Sequence, residues 1–172
     1  MNAKGDGESA TIKNRTTVER KSEREVVVTR TINAPARIVF EAFTQPELFK
    51  RWWVPKSMTV PLLSCELDVR VGGTYRLVFG TDAANSMAFF GRYLEVIPHS
   101  RIVWTNDEAG DAGAVTTVTF AEQGGKTLLV MHELHPSKEA LEAALGAYDG
   151  MRETLEQLDE FLVTLGATAG RA

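Results

Sequence analysis

Aromatic side chains are what this chain has most of to offer a ligand. Trp52, Trp53, Tyr75, Phe79, Phe89, Tyr93, Trp104 and Tyr148 come from well-separated stretches. Brought to one place, they make a flat apolar lining tipped with Trp N–H and Tyr O–H groups. Such a lining holds and orients a small molecule inside an apolar cavity. A close-packed core uses the same residue types, so the set admits both readings.

The charged and thiol groups add less. Arg30 alternates in phase with Val26, Val28 and Ile32. If that face is inward, Arg30 is a buried cation that needs a carboxylate partner or an anionic ligand group. His132 alternates with Leu128 and Val130. On an inward face it joins the ligand lining, and a hydrogen-bonded core histidine is the plainer account. His132 and His135 lie three apart on a strand, so they face opposite sides. Cys65 is the only thiol and a helical His-Glu-x-x-His is absent, so no metal site is expected, and no cofactor. Cys65 itself, mid-strand among apolar neighbours, reads as a small buried hydrophobe and not a nucleophile. Glu66, Asp68 and Arg70 read as a solvated strand face. Gly124-Gly125-Lys126-Thr127 has the ending of a phosphate-binding loop, but Phe120 stands where its first glycine belongs and Thr127 opens a strand.

The elements that must position these residues follow from periodicity. Arg24 to Ile32 alternates and is rich in Val and Thr, as a strand requires. Pro35 then starts a short amphipathic helix carrying Ile38, Val39, Ala42 and Phe43. Thr44-Gln45-Pro46 breaks it, and Pro46 to Trp53 makes a second short helix. From Pro61 the period changes to two: Leu63, Cys65, Leu67, Val69 and Val71 share one face. Turn signals at Gly72-Gly73, Pro98-His99-Ser100 and Gly124-Gly125 divide the stretch to Leu134 into consecutive strands. From Ser137 to Leu165 the period is helical. Leu141, Leu145, Tyr148, Met151, Leu155, Leu158, Leu162 and Leu165 form one stripe, and charged residues including Asp159 lie mostly off it. Ser137 is the N-cap and Gly166 the C′ residue of a single helix roughly 40 Å long. This order predicts an α+β fold: a curved antiparallel meander of about seven strands wrapped around a long C-terminal helix, with two short helices after the first strand. The first strand is expected to pair with the last.

The chain has 172 residues, 44% hydrophobic and 24% charged, which suits one globular domain with a single core. Its net charge of −4 argues against non-specific nucleic-acid binding. No apolar run reaches membrane-spanning length, and the polar start lacks the apolar segment of a secretory signal. A lone cysteine suits a reducing cytoplasm. Residues 1–22 read as a disordered leader, 23–166 as the folded domain and 167–172 as a flexible tail.

Several segments resemble one family. Arg30-Thr31-Ile32-Asn33-Ala34-Pro35, Val39-Phe40, Thr44-Gln45-Pro46-Glu47-Leu48 and Trp52-Trp53 resemble the opening of the SRPBCC or START-like (Bet v 1-like) superfamily. The branch related to the activator of Hsp90 ATPase is the nearest. Asp68 to Gly73, Gly91 to Pro98 and the Gly-containing start of the last helix match in order, so the resemblance covers residues 24–165. It implies a helix-grip fold with a cavity between sheet and C-terminal helix. Members bind lipids, polyketides and other hydrophobic molecules, some are cyclases, and one branch stimulates the Hsp90 chaperone. The branch commonly carries Gly-Trp early in the last helix, where this chain has Gly150-Met151. The flexible Met151 therefore joins the expected lining and alters the cavity's shape.

The leading expectation is non-catalytic binding of a small hydrophobic or aromatic molecule, with Arg30, Tyr75 and Tyr148 as selecting groups. A cyclase or dehydratase acting through His132 or Glu133 is the second reading, and a chaperone-interacting module the third. An edge strand of the meander offers a surface for a homodimer.

Overall fold

A computed structural model describes residues 15–108 and 113–171, with side chains as far as Leu165. Its strands are β1 (Thr17–Arg20), β2 (Glu25–Ile32), β3 (Leu62–Leu67), β4 (Thr74–Gly80), β5 (Ser86–Ile97), β6 (Arg101–Thr105), β7 (Val115–Gln123) and β8 (Lys126–Leu134). Helices α1 (Ala36–Thr44) and α2 (Pro46–Phe49) follow β2, and α3 (Lys138–Ala144) and α4 (Ala147–Arg171) follow β8.

The strands form one eight-stranded antiparallel sheet in the order β1-β2-β8-β7-β6-β5-β4-β3. From β3 to β8 it is a plain meander, as short turns dictate. β2 returns to pair with β8 along its whole length, from Glu25 opposite Leu134 to Ile32 opposite Thr127. This is the expected first-to-last pairing, and the α+β helix-grip architecture is present.

Three expectations need correcting. Thr17–Arg20, read as leader, is an edge strand on β2 with Val18 opposite Val28. Thr16 is buried beside it, accepting from Arg30 Nη1 through its hydroxyl and from Arg152 Nη1 through its carbonyl. These anchors are tertiary, so the local composition does not show them. The rest of the expected leader, residues 1–14, lies outside the described residues. Second, the terminal helix is two helices. Ser137 caps α3 by accepting from Ala140 N–H, but the helix stops at Leu145-Gly146, where Leu145 is 45% exposed instead of on the core stripe. Glycine's backbone entropy makes that point the cheapest place to break. Third, α4 runs through Gly166 to Arg171 and does not end there.

Core packing sets which face of each strand is inward. Leu155, Leu158 and Leu162 of α4 are at most 1% exposed, over Val26, Val28 and Ile32 of β2. Burial of each such side chain contributes roughly 1.5–3 kcal/mol. On β8 the buried alternation is Thr127, Leu129 and Met131, and Leu128, Val130 and His132 occupy the other face. Trp52 is fully buried between α1 and α2, donates its indole N–H to the Ala42 carbonyl and packs on Phe43 and Phe49. Bulges at Leu62/Ser64 and Tyr93/Glu95 reset the alternation, which leaves Leu63 and Leu94 exposed. Among the described residues no helix is long and apolar enough to cross a membrane.

Candidate functional site

Strand register puts Tyr93, Trp104, Thr116, Glu133 and Val26 directly opposite one another on β5, β6, β7, β8 and β2. Opposed residues of an antiparallel pair point to the same face. The row therefore crosses five strands on the concave side, about 19 Å at the usual strand spacing. The next row inward, Ile102, Val118, Met131 and Val28, is apolar and fully buried.

Glu133 is the centre of the polar part. Thr116 Oγ1 donates to Glu133 Oε2 at 3.0 Å, and Tyr148 Oη of α4 donates to Glu133 Oε1. The single hydroxyl hydrogen of Tyr148 is thereby used. His135 Nε2, 2.8 Å from Tyr148 Oη, must then be a donor, which fixes a protonated Nε2. On the other side Asn106 Nδ2 donates to Thr116 Oγ1 at 3.1 Å. Tyr75 Oη lies 2.7 Å from the Thr105 carbonyl and 3.3 Å from Asn106 Oδ1. A continuous polar chain thus runs from β4 to α4. Gly91 makes it possible: a Cβ there would sit 1.9 Å from the Thr105 carbonyl oxygen and 2.8 Å from the Tyr75 ring.

Burial pushes the Tyr148 phenol well above the ordinary tyrosine value, and the Glu133 carboxylate adds to this. Tyr75 and Tyr93 are raised mainly by burial too. All three are neutral phenols across the physiological range, able to donate hydrogen bonds. Burial also raises the Cys65 thiol, which opposes nucleophilic use.

The apolar lining beside this row is uneven. Tyr75, Phe79 and Tyr93 are buried, whereas Phe89, Trp104 and Met151 stay partly exposed although they share the inward phase. Tyr75 contacts Tyr93 and Trp104 with ring centroids 5.8 and 6.4 Å apart, and Phe79 meets Phe89 edge-on at 5.6 Å. Trp53 stacks on Phe49 at 4.8 Å, at the start of the loop that leads to β3. That loop is tied to α4: Gln157 Nε2 donates to the Trp52 and Val54 carbonyls, Thr154 Oγ1 to the Trp53 carbonyl, and Ser57 donates to Glu153.

The expected lining residues do not all meet. Tyr75, Phe79, Phe89, Tyr93, Trp104, Tyr148 and Met151 belong to the concave side. Trp52 is sealed in the helix pair, with Trp53 beside it. His132 faces outward with its Nε2 2.8 Å from Glu25 Oε2, because β8 is one residue out of the expected phase. Arg30 does face inward, 7% exposed, but four residues along the sheet from the polar row. Its Nε and Nη2 bond Asp159 Oδ2 at 3.3 and 3.1 Å, and Asp159 Oδ1 takes the Asn33 N–H. The pair closes one side of an open polar cleft of about 610 Å³ that also includes Arg15, Glu156 and Glu160. Asp159, Thr116, Asn106 and His135 carry no local sequence signal of their role. Glu133 had one, its alternation with Leu129 and Met131. Among the described residues no cluster of three metal-ligating side chains occurs.

The family described as Activator of Hsp90 ATPase homolog 1-like protein matches residues 33–163. No curated protein matches. Similar solved structures include a Chromobacterium violaceum protein at 31% identity, covering 79% of this chain and 95% of that one with a TM-score of 0.64. A Rhodobacter sphaeroides protein has 22% identity, 88% and 99% coverage and a TM-score of 0.77. An Aeromonas hydrophila protein described as of the same Hsp90-activator-like type has 18% identity, 81% and 94% coverage and a TM-score of 0.64.

Proposed function

Because the chain belongs to the Activator of Hsp90 ATPase homolog 1-like family, we propose that it binds a small hydrophobic or aromatic molecule, lipid- or polyketide-like, between the sheet and the first turns of α4. One observation carries this reading. Phe89, Trp104 and Met151 face the concave side, next to fully buried neighbours, and remain partly open to solvent. A packed core would seal all three; a hollow that opens on them leaves aromatic surface for a ligand. A ligand that buried about 300 Å² of apolar surface there would gain roughly 7 kcal/mol before the costs of association. Selection falls to the polar chain, with Tyr148 and Tyr75 at its ends. The lone thiol suits action in the cytoplasm.

Thermal-shift and calorimetric titration with a panel of fatty acids, flavonoids and naphthalenes tests this. Binding with a stabilised midpoint is the expected result, weakened by Trp104→Ala. No binding across the panel would overturn it.

The family's description favours a second reading, contact with a chaperone ATPase. Phe90 and Leu94 on the outer side of β5 are 38% and 47% exposed and suit such a contact. Stimulation of Hsp90 ATPase turnover by the purified protein is its test. An acid–base role for Glu133 in a cyclase or dehydratase reaction is supported by that carboxylate's inward position, and Glu133→Gln abolishing turnover of a polyketide-like substrate is the matching measurement.

A further inference from the structure

Glu133 is a carboxylate without a full set of partners. A carboxylate accepts at about four lone-pair sites. Among the described residues two donors reach it, Thr116 and Tyr148, with His135 Nε2 at 3.9 Å. No arginine or lysine pairs with it among those residues. Its side chain is 19% exposed, on the same face and in the same row as Trp104. It therefore keeps open acceptor sites on the side that meets solvent. The donors on its other flank are held in place, Thr116 by Asn106 and Tyr148 by His135. Neither can swing round to occupy the open sites.

Resting on the binding reading above, we infer that Glu133 is the group that reads the ligand: it accepts a hydrogen bond from a hydroxyl or ammonium donor at one end of an otherwise apolar, aromatic molecule. Two consequences follow from the charge. A ligand whose donor is capped leaves these acceptor sites desolvated and unpaired, which is penalised. A ligand that ends in a carboxylate meets a like charge at close range. The aromatic body extends toward the partly exposed Trp104, two strands away, about 10 Å, and passes over the fully buried Thr116. Two or three fused or linked rings span that distance. The selected class is thus a phenol- or amine-ended aromatic and not an aromatic acid.

The test is calorimetric titration of the full chain with four matched probes: 2-naphthol, 2-methoxynaphthalene, 2-naphthoate and 2-naphthylmethylammonium. Naphthol or the ammonium is expected to bind at least about 10-fold tighter than the methyl ether, with naphthoate weakest. The ratio of the first two tells a neutral donor from a cation. Glu133→Gln is expected to shrink the naphthol-to-ether gap to within about threefold and to improve naphthoate binding. Thr116→Val keeps the carboxylate and is expected to keep the gap. Equal binding of naphthol and ether by the native chain, or an unchanged gap in Glu133→Gln, would overturn the inference while leaving the binding reading in place. If Glu133→Gln does not fold, the native probe series decides alone. Failure of all four probes to bind would remove the binding reading itself, and this inference with it.

Discussion

Tyr148 of α4 and Glu133 of β8 are joined by a hydrogen bond that ties the terminal helix to the sheet at the polar row. The same tyrosine oxygen accepts from His135. Removal of the hydroxyl in Tyr148→Phe therefore strands a buried donor and an acceptor together. The expected loss is about 1–3 kcal/mol in urea unfolding, with no gain from the phenyl ring, which already fits. A loss below about 0.5 kcal/mol would mean that solvent replaces the bond freely.

The chain's three tyrosines, Tyr75, Tyr93 and Tyr148, all have raised values in the folded state. Their unfolded value is about 10. Above that pH the unfolded chain releases protons that the folded chain retains. Stability is complete below pH 10 and falls above it, by as much as about 1.4 kcal/mol per pH unit for each tyrosine. Tyrosinate absorbance is expected to stay flat through pH 10.5 and then rise together with the loss of circular dichroism. A smooth titration near pH 10 in folded protein would contradict the burial.

Asp159 holds Arg30 and the Asn33 amide at once. Asp159→Ala leaves a buried guanidinium without its anion, and a loss of about 3–5 kcal/mol is expected. Replacement of both partners, Arg30→Met with Asp159→Leu, should recover most of it. Equal losses for single and double variants would show that the pair itself, and not the orphaned charge, carries the stability.

Gly146 separates α3 from α4, and a Cβ there meets nothing within 4 Å. Gly146→Ala is expected to raise stability by about 0.5–1 kcal/mol and to add helical ellipticity. Gly91→Ala should do the opposite and prevent native folding, since its Cβ would collide with the Thr105 carbonyl.

Partly exposed Glu153 is held below the ordinary carboxylate value by hydrogen bonds from the Ser57 hydroxyl and amide. Its contribution is present above the unfolded value and lost as pH falls through the lower folded one, in the region below about pH 4. Glu153→Ala is expected to speed proteolytic nicking between Trp53 and Val60 at neutral pH. An unchanged cleavage rate would show that Gln157 and Thr154 fasten the loop unaided.

The architecture was legible because alternation, turn residues and the helical stripe are local signals. The two faces of β2 are distinct in the sequence, Val26, Val28 and Ile32 against Val27, Thr29 and Thr31, but Arg30 on the more apolar one leaves open which of them is inward. On β8 both phases are apolar, Leu128 and Val130 against Leu129 and Met131, so only the pairing of Val28 with Met131 decides. That pairing is long-range, and His132 and Glu133 exchanged roles with it. An inward Arg30 calls for a carboxylate or a ligand anion, and nothing local tells which, because its partner Asp159 sits 129 residues away on α4. Asp159 looked like a solvated helix residue because its neighbours on either side are Leu158 and Glu160, and no period marks it as inward. The break at Gly146 was visible as a glycine and outweighed by the leucine period around it.

The pairing of β2 with β8 brings Glu25 against His132, 107 residues apart. No earlier part of the sheet can close without that seam, and loop closure over such a distance is slow relative to hairpin formation. A nascent chain would display the whole β3–β7 ribbon, unlidded, until α4 had been synthesised. The apolar floor that the helix covers in the folded protein is then open to strangers, so passage through this stage depends on speed or on escort by other proteins.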